Sequence, residues 1–353
     1  MSSTESLRVG IAGYGMVGKV RHQVIDEHPA LRVVAVCDQS FAEPVVAEGG
    51  LRCWTTPEQL LAEELDVLFV SLPNYMNADV TIAGLEAGLH VFCEKPPGRD
   101  VADVVRVREV ESRHAKQKLA YGFNHRYHDS VREALQLIQG GELGRIVNMR
   151  GVYGKSKMIR FDREHDWRTE RALSGGGILL DQGIHMVDMM RLFAGEFVDV
   201  HSYVSNAYWK HDVEDNAYAL MRTADGVVAL LHSSATQWRH RFNLDITLAG
   251  GAIVLSGILS STKSYGAETI TVVWAGEEDG GDPREQTTRY NTDRSWREEV
   301  FDFAGAILED RPPASGSSLD ALKTMELVYR IYCADPQWAE RWSLGTLPAD
   351  VRE

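Results

Sequence analysis

The chain has 353 residues, of which 44% are hydrophobic and 25% charged, a composition typical of a globular protein large enough for two separate cores. Its formal net charge of −14 argues against non-specific binding to nucleic acid, which is itself an anion. No apolar run approaches the roughly 18 residues of a membrane span, and residues 1–6 lack the basic and apolar stretches of a secretion signal. We therefore expect neither a nucleic-acid partner nor a membrane partner.

Residues 7 to 122 alternate between short apolar runs and amphipathic helical patterns. The near-continuous apolar run at 7–12 predicts a strand that is buried on both faces. Further strands are predicted at 31–37, 66–72, 89–93 and 118–121, and helices at 17–28, 78–87 and 101–114. Alternating strands and helices predict an α/β fold, a doubly wound parallel sheet of the Rossmann type, over residues 1–122.

The pattern changes after residue 124. Helices are predicted at 129–139 and 181–193, strands at 198–204, 244–248 and 270–274, and closing helices at 294–308 and 319–331. Turn signals such as Ala224-Asp225-Gly226 separate the strands, and Glu277 to Pro283 is predicted to be an exposed loop. These patterns predict an α+β second domain over residues 123–353, with an open and mostly antiparallel sheet.

The four cysteines are widely spaced. Cys37, Cys53, Cys93 and Cys333 form no C-x-x-C pair, which is the spacing of many zinc and redox sites. Their distribution favours buried thiols in a reducing compartment over a disulfide framework. We therefore expect a cytoplasmic protein without a metal site.

A glycine-rich loop follows the first predicted strand. It has the pattern G-x-G-x-x-G, formed by Gly13, Tyr14, Gly15, Met16, Val17 and Gly18. The pattern alone is weak evidence, but a strand before it and a helix after it are the setting of a dinucleotide-binding loop. Gly13 would permit the tight turn, Gly15 the approach of a pyrophosphate, and Gly18 close helix–strand packing. The start of the following helix would attract the phosphates.

Asp38 lies 20 residues after Gly18, at the end of the second predicted strand. A carboxylate at this place accepts hydrogen bonds from the adenosine ribose hydroxyls and repels a 2′-phosphate. The next residues, Gln39 and Ser40, supply no arginine that would favour NADP. The sequence therefore predicts NAD as the cofactor, in preference to NADP. The alternative is an aspartate that only caps the loop.

Two further segments carry groups that the oxidation of an alcohol needs. Lys95 follows the fifth predicted strand, at the strand ends where doubly wound sheets bind ligands. Asp181 and His185 come after a glycine triplet at 175–177 and, four residues apart, would share one face of a helix. A histidine, or a lysine of lowered pKa, suits the removal of a hydroxyl proton. The alternatives are a solvated lysine and a histidine of the apolar core.

Together, the glycine loop, the Glu-Lys-Pro segment at 94–96 and the Gly-Gly-Gly…Asp-x-x-x-His segment at 175–185 resemble the Gfo/Idh/MocA family over essentially the whole chain. The resemblance implies that Lys95, Asp181 and His185 line the substrate pocket beside the nicotinamide. It also implies that Glu94 contacts the nicotinamide ribose and that Asn124 lies near the nicotinamide or the substrate. A turn implied to line the cofactor consists of Ser71, Leu72, Pro73 and Asn74.

Two residues depart from the family pattern. Asn77 stands where many members have a histidine, and Pro97 stands where an apolar residue usually follows Glu-Lys-Pro. Neither change removes a chemical group that the reaction needs, but both bear on the geometry around the cofactor. The resemblance further implies a homodimer or homotetramer that packs through the open sheet.

A basic segment precedes the glycine triplet. Residues 150–171 contain seven basic side chains (Arg150, Lys155, Lys157, Arg160, Arg163, Arg168 and Arg171) against four acidic ones (Asp162, Glu164, Asp166 and Glu170). Arginines there could bind a phosphate, carboxylate or nucleotide diphosphate of a substrate, and Trp167 or Tyr153 could stack on a sugar ring. A charged surface loop with internal ion pairs explains the composition equally well. A second cluster, Gln-Trp-Arg-His-Arg at 237–241, could join the pocket or lie on a strand face.

These features predict an NAD-dependent dehydrogenase or reductase. Its substrate would be a secondary hydroxyl, or the matching ketone, of a sugar, a phosphorylated or nucleotide-linked sugar, or a cyclitol. Lys95 and His185 would handle the hydroxyl proton, and which of them is the base stays open because coupled groups titrate together. His211, His232 and His240 are expected to be structural. The alternatives are an NAD-using glycosidase and a non-catalytic regulator that senses dinucleotide.

Overall fold

The computed structural model describes residues 6–158, 166–260, 264–276 and 283–345. The chain divides into two compact units. The first comprises the residues up to 124 together with 296–322, and the second comprises 125–295 together with the residues from 323 onward. The predicted ranges of 1–122 and 123–353 did not anticipate that a segment late in the chain belongs to the first unit.

The first unit contains a seven-stranded sheet in the order β3-β4-β2-β1-β5-β6-β7. Its strands are β1 Leu7–Ala12, β2 Leu31–Cys37, β3 Val45–Val46, β4 Arg52–Trp54, β5 Val67–Val70, β6 His90–Glu94 and β7 Leu119–Gly122. Its helices in this part of the chain are α1 Met16–Asp26, α2 Pro57–Leu61, α3 Asn74–Glu86 and α4 Val101–Arg113. Every pairing is parallel except that of β3 with β4, so the predicted doubly wound sheet is confirmed.

Aromatic packing explains why a late segment joins this unit. Phe69 and Phe92, on neighbouring strands, stack with ring centroids 4.9 Å apart. Phe303, from the helix α8 Ser295–Leu308, meets both rings edge-on at 5.9 and 5.5 Å. All three side chains are essentially inaccessible to water. Each buried aromatic ring contributes about 2–3 kcal/mol, so this contact ties the helix to the sheet.

The second unit contains an eight-stranded sheet in the order β15-β14-β13-β12-β8-β11-β10-β9. Its strands are β8 Ile146–Gly154, β9 Phe197–Ser205, β10 Asn216–Thr223, β11 Val228–Ser234, β12 Arg241–Leu248, β13 Gly251–Ser256, β14 Glu268–Trp274 and β15 Arg284–Tyr290. Its helices are α5 Asp129–Gly140, α6 Arg171–Ser174, α7 Ile184–Ala194, α9 Ser318–Cys333 and α10 Pro336–Arg341, of which α9 begins in the first unit. All pairings are antiparallel except β8 with β11, which confirms the predicted sheet.

Burial alternates along the strands of the second sheet, most regularly in β10, as the period of two requires. Helix α7 packs closely on β8. An ideal Cβ at Gly151 of β8 would lie 2.5 Å from Cε of Met190, so a larger residue there would require Met190 to move. The predicted helix at 181–193 in fact begins with one π turn, Leu179–Gly183, before α7 starts.

Cys37, Cys53 and Cys93 are buried, Cys333 is half-buried, and none forms a disulfide. Within the described ranges no helix is long and apolar enough to cross a membrane, and no group of three metal-ligating side chains converges. The loop predicted at Glu277–Pro283 lies outside the described residues except for Pro283.

Candidate active site

The glycine loop has the backbone that a dinucleotide loop needs. Gly13 has φ of +89°, and an ideal Cβ there would lie 2.3 Å from the carbonyl oxygen of Ser71. A Cβ at Gly18 would lie 2.0 Å from the carbonyl oxygen of Gly13. At Gly15, by contrast, nothing lies within 4 Å of the ideal Cβ position, so open space faces the start of α1. The loop therefore excludes side chains at its two anchoring glycines and offers room at the middle one.

Asp38 is fixed against this loop. Its Oδ2 accepts a hydrogen bond from the Tyr14 amide at 2.8 Å, and its Oδ1 accepts one from the Ser40 amide at 2.9 Å. Partial burial opposes ionisation, but the hydrogen bonds from Ser40 and Tyr14 outweigh it and lower the pKa of Asp38 below its usual range. An ionised carboxylate therefore stands at the end of β2.

Glu94 belongs to a buried ion network that the sequence patterns did not reveal. Arg21, which is 0% exposed, donates from Nε to Oε1 of Glu94 at 2.6 Å and from Nη2 to Oε2 of Glu299 at 2.6 Å. Its guanidinium also lies over the rings of Phe92 and Trp296, at 4.5 and 4.3 Å from their centroids. Burial raises the pKa of Glu299 to about 8. The network fixes the orientation of the Glu94 carboxylate.

The turn after β5 and the segment after β6 are also tied together. The Ser71 amide donates to the carbonyl oxygen of Ala12 at 2.7 Å, which holds the turn of residues 71–74 beside the glycine loop. Asn77 donates from Nδ2 to the carbonyl oxygen of Pro96 at 2.9 Å. The asparagine that departs from the family pattern thus holds the backbone next to Lys95, whose side chain is half-buried. Pro97, the other departure, is buried.

In the second unit, Asp181 lies in the π turn and His185 lies in the first turn of α7. Oδ2 of Asp181 accepts a hydrogen bond from Nζ of Lys155 at 3.0 Å, and its Oδ1 lies 3.7 Å from Nε of Arg168. The His185 ring stacks on His125 with centroids 3.8 Å apart and planes 11° apart. A π turn within a helix often marks a functional site.

Aromatic side chains support this histidine pair. Nε2 of His125 lies 3.1 Å from the hydroxyl of Tyr153, and the Tyr153 ring packs on Phe242 and Tyr265. Tyr265 donates from its hydroxyl to Oε1 of Gln182 at 3.1 Å. Burial holds the pKa of Tyr153 well above its usual range, so this hydroxyl stays protonated. Because Tyr153 is only 5% exposed and its ring is enclosed, its placement favours support of His125 over the predicted stacking on a sugar.

The glycine triplet is anchored by Glu214, a residue that no sequence pattern indicated. Its buried carboxylate accepts hydrogen bonds from the amides of Gly177 and Leu179 at 2.7 and 2.9 Å, and from the hydroxyl of Tyr332 at 2.7 Å. An ideal Cβ at Gly177 would lie 2.1 Å from the carbonyl oxygen of Glu214. Glycine is needed there because the π turn that carries Asp181 starts against this carboxylate.

Three basic side chains in the described part of the basic segment form ion pairs. Lys155 and Arg168 face Asp181, and Nη1 of Arg168 also lies 3.4 Å from Oδ1 of Asp166. Nη2 of Arg150 pairs with Asp245 at 2.7 Å. The guanidinium of Arg168 covers the ring of Trp167, with 4.4 Å to the centroid, and thus occupies one face of that ring. Members of the segment that lie outside the described residues are Arg160, Arg163, Asp162 and Glu164.

The sequence singled out Asp181 and His185 as candidates, and the structure adds His125, which directly follows Asn124 and stacks on His185. Asn124 is 8% exposed and opens a short 3-10 turn, Asn124–Tyr127. The signal was present, since two polar side chains come directly after β7, where strand ends carry functional groups.

These features define a nicotinamide-dependent oxidoreductase: a Rossmann glycine loop, the ionised Asp38 beside it, and the side chains of Asp181 and His185 in the second unit. Family models agree. Residues 7–123 match the model described as the oxidoreductase family with an NAD-binding Rossmann fold, and residues 131–254 match the GFO/IDH/MocA C-terminal domain. Because these ranges together span more than half of the chain, the chain belongs to the Gfo/Idh/MocA family of oxidoreductases. The resemblance inferred from the motifs is confirmed, as is the NAD-binding Rossmann fold.

Named relatives act on sugars. The chain is 28% identical over 214 residues to levoglucosan dehydrogenase of Pseudarthrobacter phenanthrenivorans, an alignment that spans 57% of this chain and 54% of that enzyme. It is 29% identical over 272 residues to D-glucoside 3-dehydrogenase of Escherichia coli, covering 70% and 76% of the two chains. A solved structure of levoglucosan dehydrogenase with NADH shares the fold, with a TM-score of 0.82, 22% identity, and coverage of 95% and 98%.

Proposed function

We propose that this protein is an NAD-dependent dehydrogenase that oxidises a secondary hydroxyl of a sugar or cyclitol, or reduces the matching ketone. The observation that carries the proposal is the cluster at the start of α7, where Asp181 is held by Lys155 and Arg168 and His185 is held by His125. The sugar substrates named for the two relatives support the substrate class.

The residues of the first unit fit the cofactor. The open space at Gly15 would take the pyrophosphate, and Asp38 would accept the adenosine ribose hydroxyls while repelling the 2′-phosphate of NADP. Glu94, oriented by Arg21, would contact the nicotinamide ribose. In the turn of residues 71–74, Oγ of Ser71 is buried and has no hydrogen-bond partner among the described residues, which suits a polar ligand there. When bound, NAD supplies the carbon that accepts the hydride.

The side chains of the chain would handle the substrate hydroxyl and its proton. A carboxylate such as Asp181 accepts hydrogen bonds from sugar hydroxyls, and two cationic side chains, Lys155 and Arg168, lie beside it. Lys95 or His185 would take the hydroxyl proton as hydride leaves the carbon. His125 stacks on His185 and is itself held by the hydroxyl of Tyr153. This stacking would fix the plane of the His185 ring, so that its ring nitrogens keep a set position toward the substrate hydroxyl.

The assembly we propose is a homodimer or homotetramer formed through the outer face of the second sheet. That face exposes large apolar side chains at Val198, Tyr203, Tyr218, Leu220 and Leu230. Tyr203 is 80% exposed, which is unusual for an aromatic side chain. Light scattering after size exclusion should give at least twice the 39.4 kDa of one chain, and Tyr203→Lys should shift it toward one chain.

A screen of NADH absorbance tests the proposal. Purified protein with NAD is offered free, phosphorylated and nucleotide-linked sugars together with cyclitols, and at least one should give NADH in proportion to the sugar consumed. Release of a free sugar from a glycoside without net NADH would instead identify an NAD-using glycosidase. Dinucleotide binding with no turnover of any compound would identify a dinucleotide-sensing regulator.

A further inference from the structure

A cavity of about 540 Å³ lies in the second unit where β12 begins and β13 ends. Its polar lining includes Arg239, His240, Arg241, Asn243, Ser264 and Tyr265. The arginines and the histidine belong to the cluster at 237–241 that the sequence left undecided between a pocket and a strand face. All three line the cavity, so the cluster forms a pocket wall.

Two hydrogen bonds link the lining of this cavity to the segments that carry Asp181 and Lys155. Tyr265 lines the cavity, and its hydroxyl donates to Gln182, the residue next to Asp181. His240 lines it as well, and its Nε2 lies 3.1 Å from Oγ of Ser156, the residue next to Lys155. Two side chains of the cavity lining thus contact the sequence neighbours of Asp181 and Lys155.

The charges that line the cavity favour an anionic ligand. Among the residues that the structure describes, none that lines the cavity carries a carboxylate. Arg239 and Arg241 are exposed and make no ion pair within the described residues, unlike Lys155 and Arg168 of the basic segment. The nearest carboxylate along the strand, Asp245, is already engaged by Arg150 and by the amide of Asn243. Two uncompensated guanidinium groups in a chain of net charge −14 favour an anionic ligand.

We propose that this cavity is a subsite for an anionic group of the substrate, a phosphate, diphosphate or carboxylate attached to the sugar whose hydroxyl lies at Asp181. The proposal rests on the proposed function and deepens it by naming the substrate class. Arg239 and Arg241 would bind the anion in two-point fashion. The volume of the cavity exceeds that of a phosphate and leaves room for part of a nucleotide.

Calorimetric titration of the NADH-saturated protein tests the subsite without relying on turnover. The probes are glucose 6-phosphate, UDP-glucose and glucuronate against the neutral glucose and myo-inositol, which distinguishes phosphate, diphosphate and carboxylate. One anionic probe should bind at least tenfold more tightly than both neutral ones. The double variant R239Q/R241Q should weaken that probe by roughly tenfold to a hundredfold, the usual effect of losing charge-assisted hydrogen bonds, and should leave neutral probes unchanged.

The matched control is R284Q/R289Q, which removes two exposed arginines from the edge strand β15 and should leave all affinities unchanged. Equal affinity for neutral and anionic probes would overturn the subsite, as would an equal loss of anion affinity in the control. Turnover of a neutral sugar without any preference for anions would overturn the subsite while leaving the dehydrogenase proposal intact. Tight binding of an anionic probe without turnover of any sugar would support the subsite and contradict the dehydrogenase proposal.

Discussion

Replacing Arg21 by Met tests the buried network behind Glu94. Arg21 is fully buried and supplies one 2.6 Å hydrogen bond to each of Glu94 and Glu299. Methionine fills much of the volume but leaves the buried Glu94 carboxylate without its cation and the buried Glu299 carboxyl without its hydrogen-bond donor. Breaking a buried ion pair by removing one partner costs about 3–5 kcal/mol. At roughly 2–4 °C per kcal/mol for a unit of this size, the unfolding midpoint of the first unit should fall by roughly 6–20 °C.

Differential scanning calorimetry measures this midpoint, with Arg32→Met as a control that removes an exposed arginine from the same unit. The double variant R21M/E299Q should recover little of the loss, because burial already keeps Glu299 largely protonated and Glu94 still lacks its cation. The Michaelis constant for NAD should rise in R21M, since Glu94 loses its orientation. A shift in R21M no larger than that of R32M would refute the idea that the network stabilises the unit.

Three further outcomes follow from the structure. Glu299→Gln should flatten the pH dependence of stability. Burial raises the pKa of the Glu299 carboxyl from an ordinary 4.5 to about 8, so the wild type should lose stability as the pH rises from 4.5 to 8. If that pKa were ordinary, calorimetry across this range would show no difference between the variant and the wild type. Asp38→Asn should lower the preference for NAD over NADP at least tenfold in kcat/KM, because the charge that repels the 2′-phosphate is removed; an unchanged preference would contradict the role of Asp38. Glu214→Gln should destabilise the second unit by about 1–3 kcal/mol in urea unfolding, since an amide donor then faces the amides of Gly177 and Leu179, whereas unaltered stability would show that this anchor is dispensable.

The Rossmann half was predictable because its strands are buried on both faces. All four residues of β5, for example, are buried, and such runs are visible in the sequence itself. The second sheet was harder. Its central strand β8 carries Gly151 and Gly154 and mixes polar with apolar residues, so its pattern gives little sign of a strand between β11 and β12. Phe303 joined the first unit through contacts that local periodicity does not encode.

Parts of the candidate site that depend on residues close together in the sequence could be predicted. Contacts between residues far apart in the sequence could not. Asp181 and His185 lie four residues apart, and this local spacing makes them candidates from the sequence alone. Arg21 meets partners 73 and 278 residues away, and a single arginine in an amphipathic helix gives no sign of burial. Likewise, His125 stacks on a histidine 60 positions later in the chain, a pairing set by the fold of the second unit.

The central claim is that the chain oxidises a sugar hydroxyl with Lys95, Asp181 and His185 as the working groups. Its most direct test compares Lys95→Ala with wild type, using the substrate found in the absorbance screen and, as a control, Lys116→Ala at an exposed lysine of the same unit. We expect kcat to fall at least a hundredfold in the Lys95 variant, with the dissociation constant for NAD within about threefold of wild type. Turnover equal to that of the Lys116 variant would contradict the claim.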